Sequence, residues 1–164
     1  MNLIKVLSVL AFTFVNNSFA AQSTNIDVKN LYGSWQCQHE VVEPNSKMTI
    51  KVTYKVNYAA NGTSSGSGDL YFTLAGIPEL HYKTQNKATW SVKGDQLTMK
   101  STDINFINVN HPELDKILNL KNILPANVNE SGTILVLTKD KITIKSEAYE
   151  DSYTCNKDLQ KVIN

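Results

Sequence analysis

The stretch Lys47-Met48-Thr49-Ile50-Lys51-Val52-Thr53-Tyr54-Lys55-Val56-Asn57-Tyr58 alternates polar and apolar residues for twelve positions without a fault. A period of two over that length predicts a long β-strand with one buried face and one wet face. Lys47, Lys51 and Lys55 lie on the wet face, where charge also discourages edge-to-edge pairing. Working outward, Asn61-Gly62 turns the chain within a Gly/Ser-rich loop expected to end at Gly68. Leu70, Phe72 and Leu74 open the next strand, which Gly76 and Pro78 end. Tyr82 to Val92 returns with Ala88, Trp90 and Val92 on one parity, Lys93-Gly94-Asp95 turns, and Leu97 and Met99 continue the alternation.

The same pattern holds at both ends. Ser34 to Val42 carries Trp35, Cys37, His39 and Val41 on one face. Thr133 to Thr138 and Lys141 to Ser146 are β-branched arms joined at Lys139-Asp140, with Ile142 and Ile144 facing in. Glu147 to Cys155 follows as a last strand with Tyr149, Asp151, Tyr153 and Cys155 on one parity. About eight antiparallel strands at regular spacing predict an all-β sandwich or closed barrel. One segment departs from this. Asn110-His111-Pro112-Glu113 has the composition of a helix start, and Leu114, Ile117 and Leu118 form an apolar stripe at helical spacing before Pro125. An accessory helix of about three turns, Pro112 to Leu124, is expected to lie across one mouth as lid or plug.

Residues 1–20 read as a signal peptide: a short basic start, an apolar run of ten from Val6 to Val15, and Ser18-Phe19-Ala20 before the cut. The run is too short for a membrane helix of about 20 residues, and no cysteine follows it for lipid attachment. The expected product is an exported protein, periplasmic or secreted, with one domain over 21–164 and no membrane anchor. In that oxidising setting the even pair Cys37 and Cys155 reads as a disulfide tying the two ends of the fold together.

Composition narrows the chemistry. The 164 residues carry 16 Lys plus Arg against 15 Asp plus Glu, and every basic residue of that count is Lys. Bidentate guanidinium clamps are therefore excluded. The net charge of +1 leaves no electrostatic footprint for nucleic acid. No nucleophile elbow, HExxH, phosphate-cradling glycine loop or CxxC occurs. His39, His81 and His111 lack metal-ligand spacing. Asp103 to Asn110 is rich in oxygen ligands but lacks the glycine and closing Glu of a calcium loop. Among the carboxylates near the chain ends, Asp151 falls on the inward parity, where it could meet His39. The expectation is a protein that is not an enzyme, with no metal and no cofactor.

Leu31-Tyr32-Gly33-Ser34-Trp35 places a Gly-x-Trp at the opening of the first strand. It resembles the start of small exported bacterial lipocalin-like, or calycin, β-barrels, and the likeness covers essentially the whole mature chain. The resemblance implies a single antiparallel up-and-down barrel with Trp35 plugging one end beside Gly33. Lipocalins pack a late-strand Arg over that Trp; this chain has none, and Lys157 is the nearest substitute. The helix also precedes the last hairpin instead of following the last strand. The implied function is to hold a small hydrophobic or amphipathic ligand inside the barrel, on a wall of Val52, Tyr54, Val56, Tyr58, Phe72, Trp90, Met99, Ile144, Tyr149 and Tyr153. A second resemblance is to exported bacterial lysozyme inhibitors, carried by Ser67-Gly68-Asp69-Leu70-Tyr71 and Trp90-Ser91-Val92-Lys93-Gly94, the latter one residue too long. It implies a protein partner met through the loops Asn61–Gly68 and Gly76–Lys87.

Overall fold

A computed structural model describes residues 26–42, 47–118, 128–148 and 151–158. The alternating stretch forms strand β2, Thr49–Tyr58, between β1, Gly33–Val42, and β3, Thr63–Thr73. The chain continues through β4, Leu80–Lys93, and β5, Gln96–Asn108, to a short helix α1, Leu114–Leu118. It ends in β6, Asn129–Leu137, β7, Lys141–Ser146, and β8, Ser152–Lys157. Each strand pairs antiparallel with the next, and β8 pairs with β1. The molecule is a closed eight-stranded up-and-down β-barrel.

Its two ends differ. Near the N-terminus of β1, inward side chains pack into one cluster: Leu31, Trp35, Cys37, Val56, Tyr58, Trp90, Leu97, Ile134, Ile142, Ile144 and Cys155. Such side chains contribute about 1.5–3 kcal/mol each on burial. A 3-10 turn, Val28–Leu31, closes this end, and the Trp35 indole N–H donates to the Leu31 carbonyl at 2.7 Å. Lys157 Nζ lies 4.2 Å from the Trp35 ring centroid and donates to the carbonyls of Asn30 and Tyr32. Burial lowers the pKa of this ammonium. Gly33 has φ +103°, a conformation that excludes ordinary side chains, and a Cβ there would meet Lys157 Cε at 3.3 Å. Cys37 and Cys155 are register partners on β1 and β8 and form a disulfide of 2.01 Å.

Toward the other end fewer strands pair among the described residues. β8 pairs with β1 only over Trp35–Gln38, and β6 with β5 only over Gln96–Lys100. Beyond those points the described wall consists of β1 to β5, where inward Leu80 and Tyr82 of β4 are buried but Ile50, Val52, Leu70, Phe72, Ile104 and Phe106 are only half-buried.

Several expectations are corrected. The Gly/Ser-rich segment after Gly62 is strand, and so is most of Gly76–Lys87, where β4 begins at Leu80. Glycine carries no hydrophobic period, yet Gly66 and Gly68 sit on the inward parity opposite Val56 and Tyr54. The connection before β6 shortens to Val109–Val128, because β5 runs through the oxygen-rich stretch to Asn108. The last strand begins at Ser152, after a turn at Glu147-Ala148, instead of at Glu147. Asn110 does not cap α1. Its amide bridges to His81 N and Glu79 O on the β4 side, while Asn108 Oδ1 accepts from His111 N. The described part of the helix is Leu114–Leu118; the side chains of Ile117 and Leu118, and the stretch to Leu124, lie outside the described residues. Residues 1–20 and Tyr149 lie outside them too.

Candidate binding site at the open end

Of the ten residues expected to line a binding wall, the nine described ones divide between two environments, Tyr149 lying outside the described residues. Val56, Tyr58, Trp90 and Ile144 belong to the packed end and are at most 9% exposed. Val52, Tyr54, Phe72, Met99 and Tyr153 are half-buried, and Tyr54, Met99 and Tyr153 pack directly on that core. Phe72 meets Tyr82 edge-on at 5.6 Å, and Tyr58 meets Trp90 the same way at 5.6 Å. The Trp90 indole N–H is satisfied by the Thr63 carbonyl at 2.9 Å, so it holds the ring in place and does not face the ligand space as a donor.

Polar groups are set into this wall at a few points. Tyr54 lies across the two inward glycines of β3 and donates to Asn86 Oδ1 on β4. Tyr58 donates to Met99 Sδ at 3.3 Å. Burial pushes the Tyr54 phenol up to about 12 and raises Tyr58 and Tyr153 further. All three are neutral at physiological pH. The register pairs Met99 with Glu130, an exposed residue near the start of β6, and the packing around its carboxyl raises its pKa by desolvation.

Glu130 was not among the expected site residues. The strand was expected to begin at Thr133, because Asn129-Glu130-Ser131-Gly132 has no β-branched or aromatic residue. Stepping back by two from Ile134 along the same parity reaches Gly132 and then Glu130, which is the signal that was available.

His39 and Asp151 do approach, at 3.9 Å, but the Asp151 side chain is 53% exposed. The pair sits at the rim and is not a buried dyad. The His39 ring packs edge-on against Tyr153 at 5.2 Å. His81 pairs with Asp69 at 2.7 Å and stacks on Tyr71, and His111 pairs with Glu113 at 3.1 Å. Each imidazole has its own carboxylate partner. Among the described residues, no group of three or more His, Cys, Asp or Glu is placed to hold a metal ion. At the rim, Asp115 of α1 accepts from the Tyr82 hydroxyl and from Asn108 Nδ2, the latter at 2.8 Å. These bonds tether the helix to β4 and β5.

A separate surface concavity of ≈ 820 Å³ is lined chiefly by polar residues, among them Lys55, Asn57, Gln85 and Lys87.

No known protein family matches this chain, and no curated protein matches it. Among the described residues, no helix is long and apolar enough to cross a membrane.

Proposed function

We propose that this is an exported, non-enzymatic, lipocalin-like binding protein that holds a small apolar or amphipathic molecule in the open half of its barrel. One observation carries the reading. Aliphatic and aromatic side chains on the inward parity of β2, β3 and β5 are only half-buried at one end, beside the buried Leu80 and Tyr82 of β4, while the other end is fully packed. An eight-stranded barrel has room for its own side chains and at most one small ligand. Here the packed end already fills part of that room, so the ligand is small. The Gly33-x-Trp35 opening with Lys157 over the indole supports the lipocalin-like assignment. The disulfide supports an oxidising compartment.

The reading as an inhibitor of a partner enzyme relied on two protruding loops. Those segments are largely strand, so the interior is preferred.

Native mass spectrometry on protein purified from its own host tests the proposal. A co-purifying small molecule is expected, displaced on unfolding. A bare mass, followed by a blank screen of lipids and amphiphiles, would overturn it.

A further inference from the structure

The concavity on the outer face of the barrel is built from side chains that take no part in the interior. On β2 to β5 the residues of outward parity fall into two rows that cross the strands. One row runs Lys55, Ser67, Gln85 and Asn105, and the other Asn57, Ser65, Lys87 and Asp103, each residue a register partner of the next. Both rows line the ≈ 820 Å³ concavity. Between them lie Val56, Gly66, Asn86 and Ile104, also register partners, which line it too. Their side chains have inward parity, so they present backbone as the floor of a channel. The two walls stand roughly 7 Å apart, two residues along each strand. Ser65 and Ser67 are the shortest wall residues, so the channel is widest over β3.

The walls are polar but carry no net charge. Lys55 is neutralised by Asp158 at 3.0 Å, and Lys87 and Asp103 face each other across β4 and β5. Among the described residues, the side chains of Ser65, Ser67, Gln85, Lys87, Asp103 and Asn105 have no hydrogen-bond or ion-pair partner. The ammonium can only donate, the carboxylate can only accept, and the amides and hydroxyls do both. An anion laid along the channel would meet Asp103, and a cation would meet Lys87. An apolar molecule would strip water from all of these groups and return no hydrogen bond. A ligand hydroxyl both donates and accepts, so it satisfies every group in either row.

We propose that this channel binds a neutral, linear oligosaccharide lying across β2 to β5, with its hydroxyls shared between the two rows. The strands it crosses are about 4.8 Å apart, close to the repeat of an extended sugar chain, so each ring meets a fresh pair of side chains. Four strands span about 14 Å, which is room for three rings. The site lies on the outside of the wall and is independent of any ligand held inside the barrel.

Amide chemical-shift mapping of the mature, disulfide-intact protein with cellotriose, triacetylchitotriose, glucose, citrate and spermidine tests it. At least one trisaccharide is expected to shift the amides of Ser65, Ser67, Gln85, Lys87, Asp103 and Asn105 saturably, with a Kd at or below about 1 mM. Glucose should bind at least about tenfold more weakly, and citrate and spermidine should produce no saturable shift there. Ser67→Gln narrows the channel and Asp103→Ala removes an acceptor. Each should weaken the trisaccharide at least about fivefold with the melting temperature unchanged, since both side chains are exposed. No saturable shift with either trisaccharide, tighter binding of citrate or spermidine, or undiminished binding by both variants would overturn the assignment. The mapping on the unaltered protein decides the matter even if a variant does not fold, and the interior ligand stands or falls separately on the native mass measurement.

Discussion

Tyr54, Tyr58 and Tyr153 sit where the packed core meets the accessible half of the barrel, and their protonation links that boundary to folding. In the unfolded chain each phenol titrates near about 10. In the folded protein burial holds Tyr54 up to about 12, with Tyr58 and Tyr153 raised as well. Between those values the native state keeps protons that the unfolded state has lost, so stability falls as pH rises. The stabilising contribution is complete below about 10 and disappears as pH passes the folded values. Denaturant midpoints should therefore be flat up to about pH 10 and then fall steeply, with phenolate absorbance appearing together with unfolding. Phenolate absorbance that rises near pH 10 with the fold intact would show that these rings are solvated. The inward position of all three could be read from parity alone. The start of β6 could not be read so easily, because a run of Asn, Glu, Ser and Gly has no propensity signal.

At the scale of the elements, β3 shows why apolar periodicity located some strands and missed parts of others. β2 and β7 alternate branched or aromatic residues with polar ones and were legible in full. The first half of β3, Thr63 to Gly68, has no inward side chain larger than serine, so it reads as a loop. Its place in the barrel comes from a neighbour: the ring of Tyr54 covers Gly66 and Gly68 from the next strand. A methyl group at Gly66 would overlap the Tyr54 hydroxyl, and Asn86 Oδ1 would lie 2.9 Å from it. Gly66→Ala must therefore push the ring away and break the bond to Asn86, which should cost about 1–3 kcal/mol as an overpacking substitution. Equilibrium urea unfolding measures this, and combining it with Tyr54→Ala should recover part of the loss. Additive losses would mean that the two side chains do not compete for one space. The same reasoning explains β5, whose inward Ile104 and Phe106 were hidden among Asp and Asn that point outward. Helix α1 was legible in place but not in its anchoring, since the tether from Tyr82 and Asn108 to Asp115 is tertiary.

For the molecule as a whole, the consequence of this arrangement is a gradient of stability along the barrel axis. At the packed end every strand has two neighbours, the core is continuous from Leu31 to Cys155, and the disulfide closes the seam between β1 and β8 across a sequence separation of 118. On the chain-entropy model a loop of that size contributes about 4–5 kcal/mol. Toward the open end, β5 beyond Ser101 pairs only with β4, and β1 beyond Gln38 pairs only with β2. Fewer apolar contacts and one-sided pairing lower the free energy of local opening without unfolding the rest. Native-state hydrogen exchange should therefore show the slowest amides near Trp35, Val56 and Ile144, with ladder-bonded amides of Thr102–Asn108 exchanging at least about tenfold faster. Replacing both cysteines with serine should accelerate the packed end most, because that is where the bridge acts, and so flatten the gradient. A small amphipathic molecule bound in the open half should act in the opposite sense, slowing exchange at the open end while leaving the already slow core unchanged, since a ligand protects only openings that expose its site. Uniform exchange along β5 would mean that the open half is as well packed as the closed one, and the space assigned to a ligand would then be filled by the protein itself.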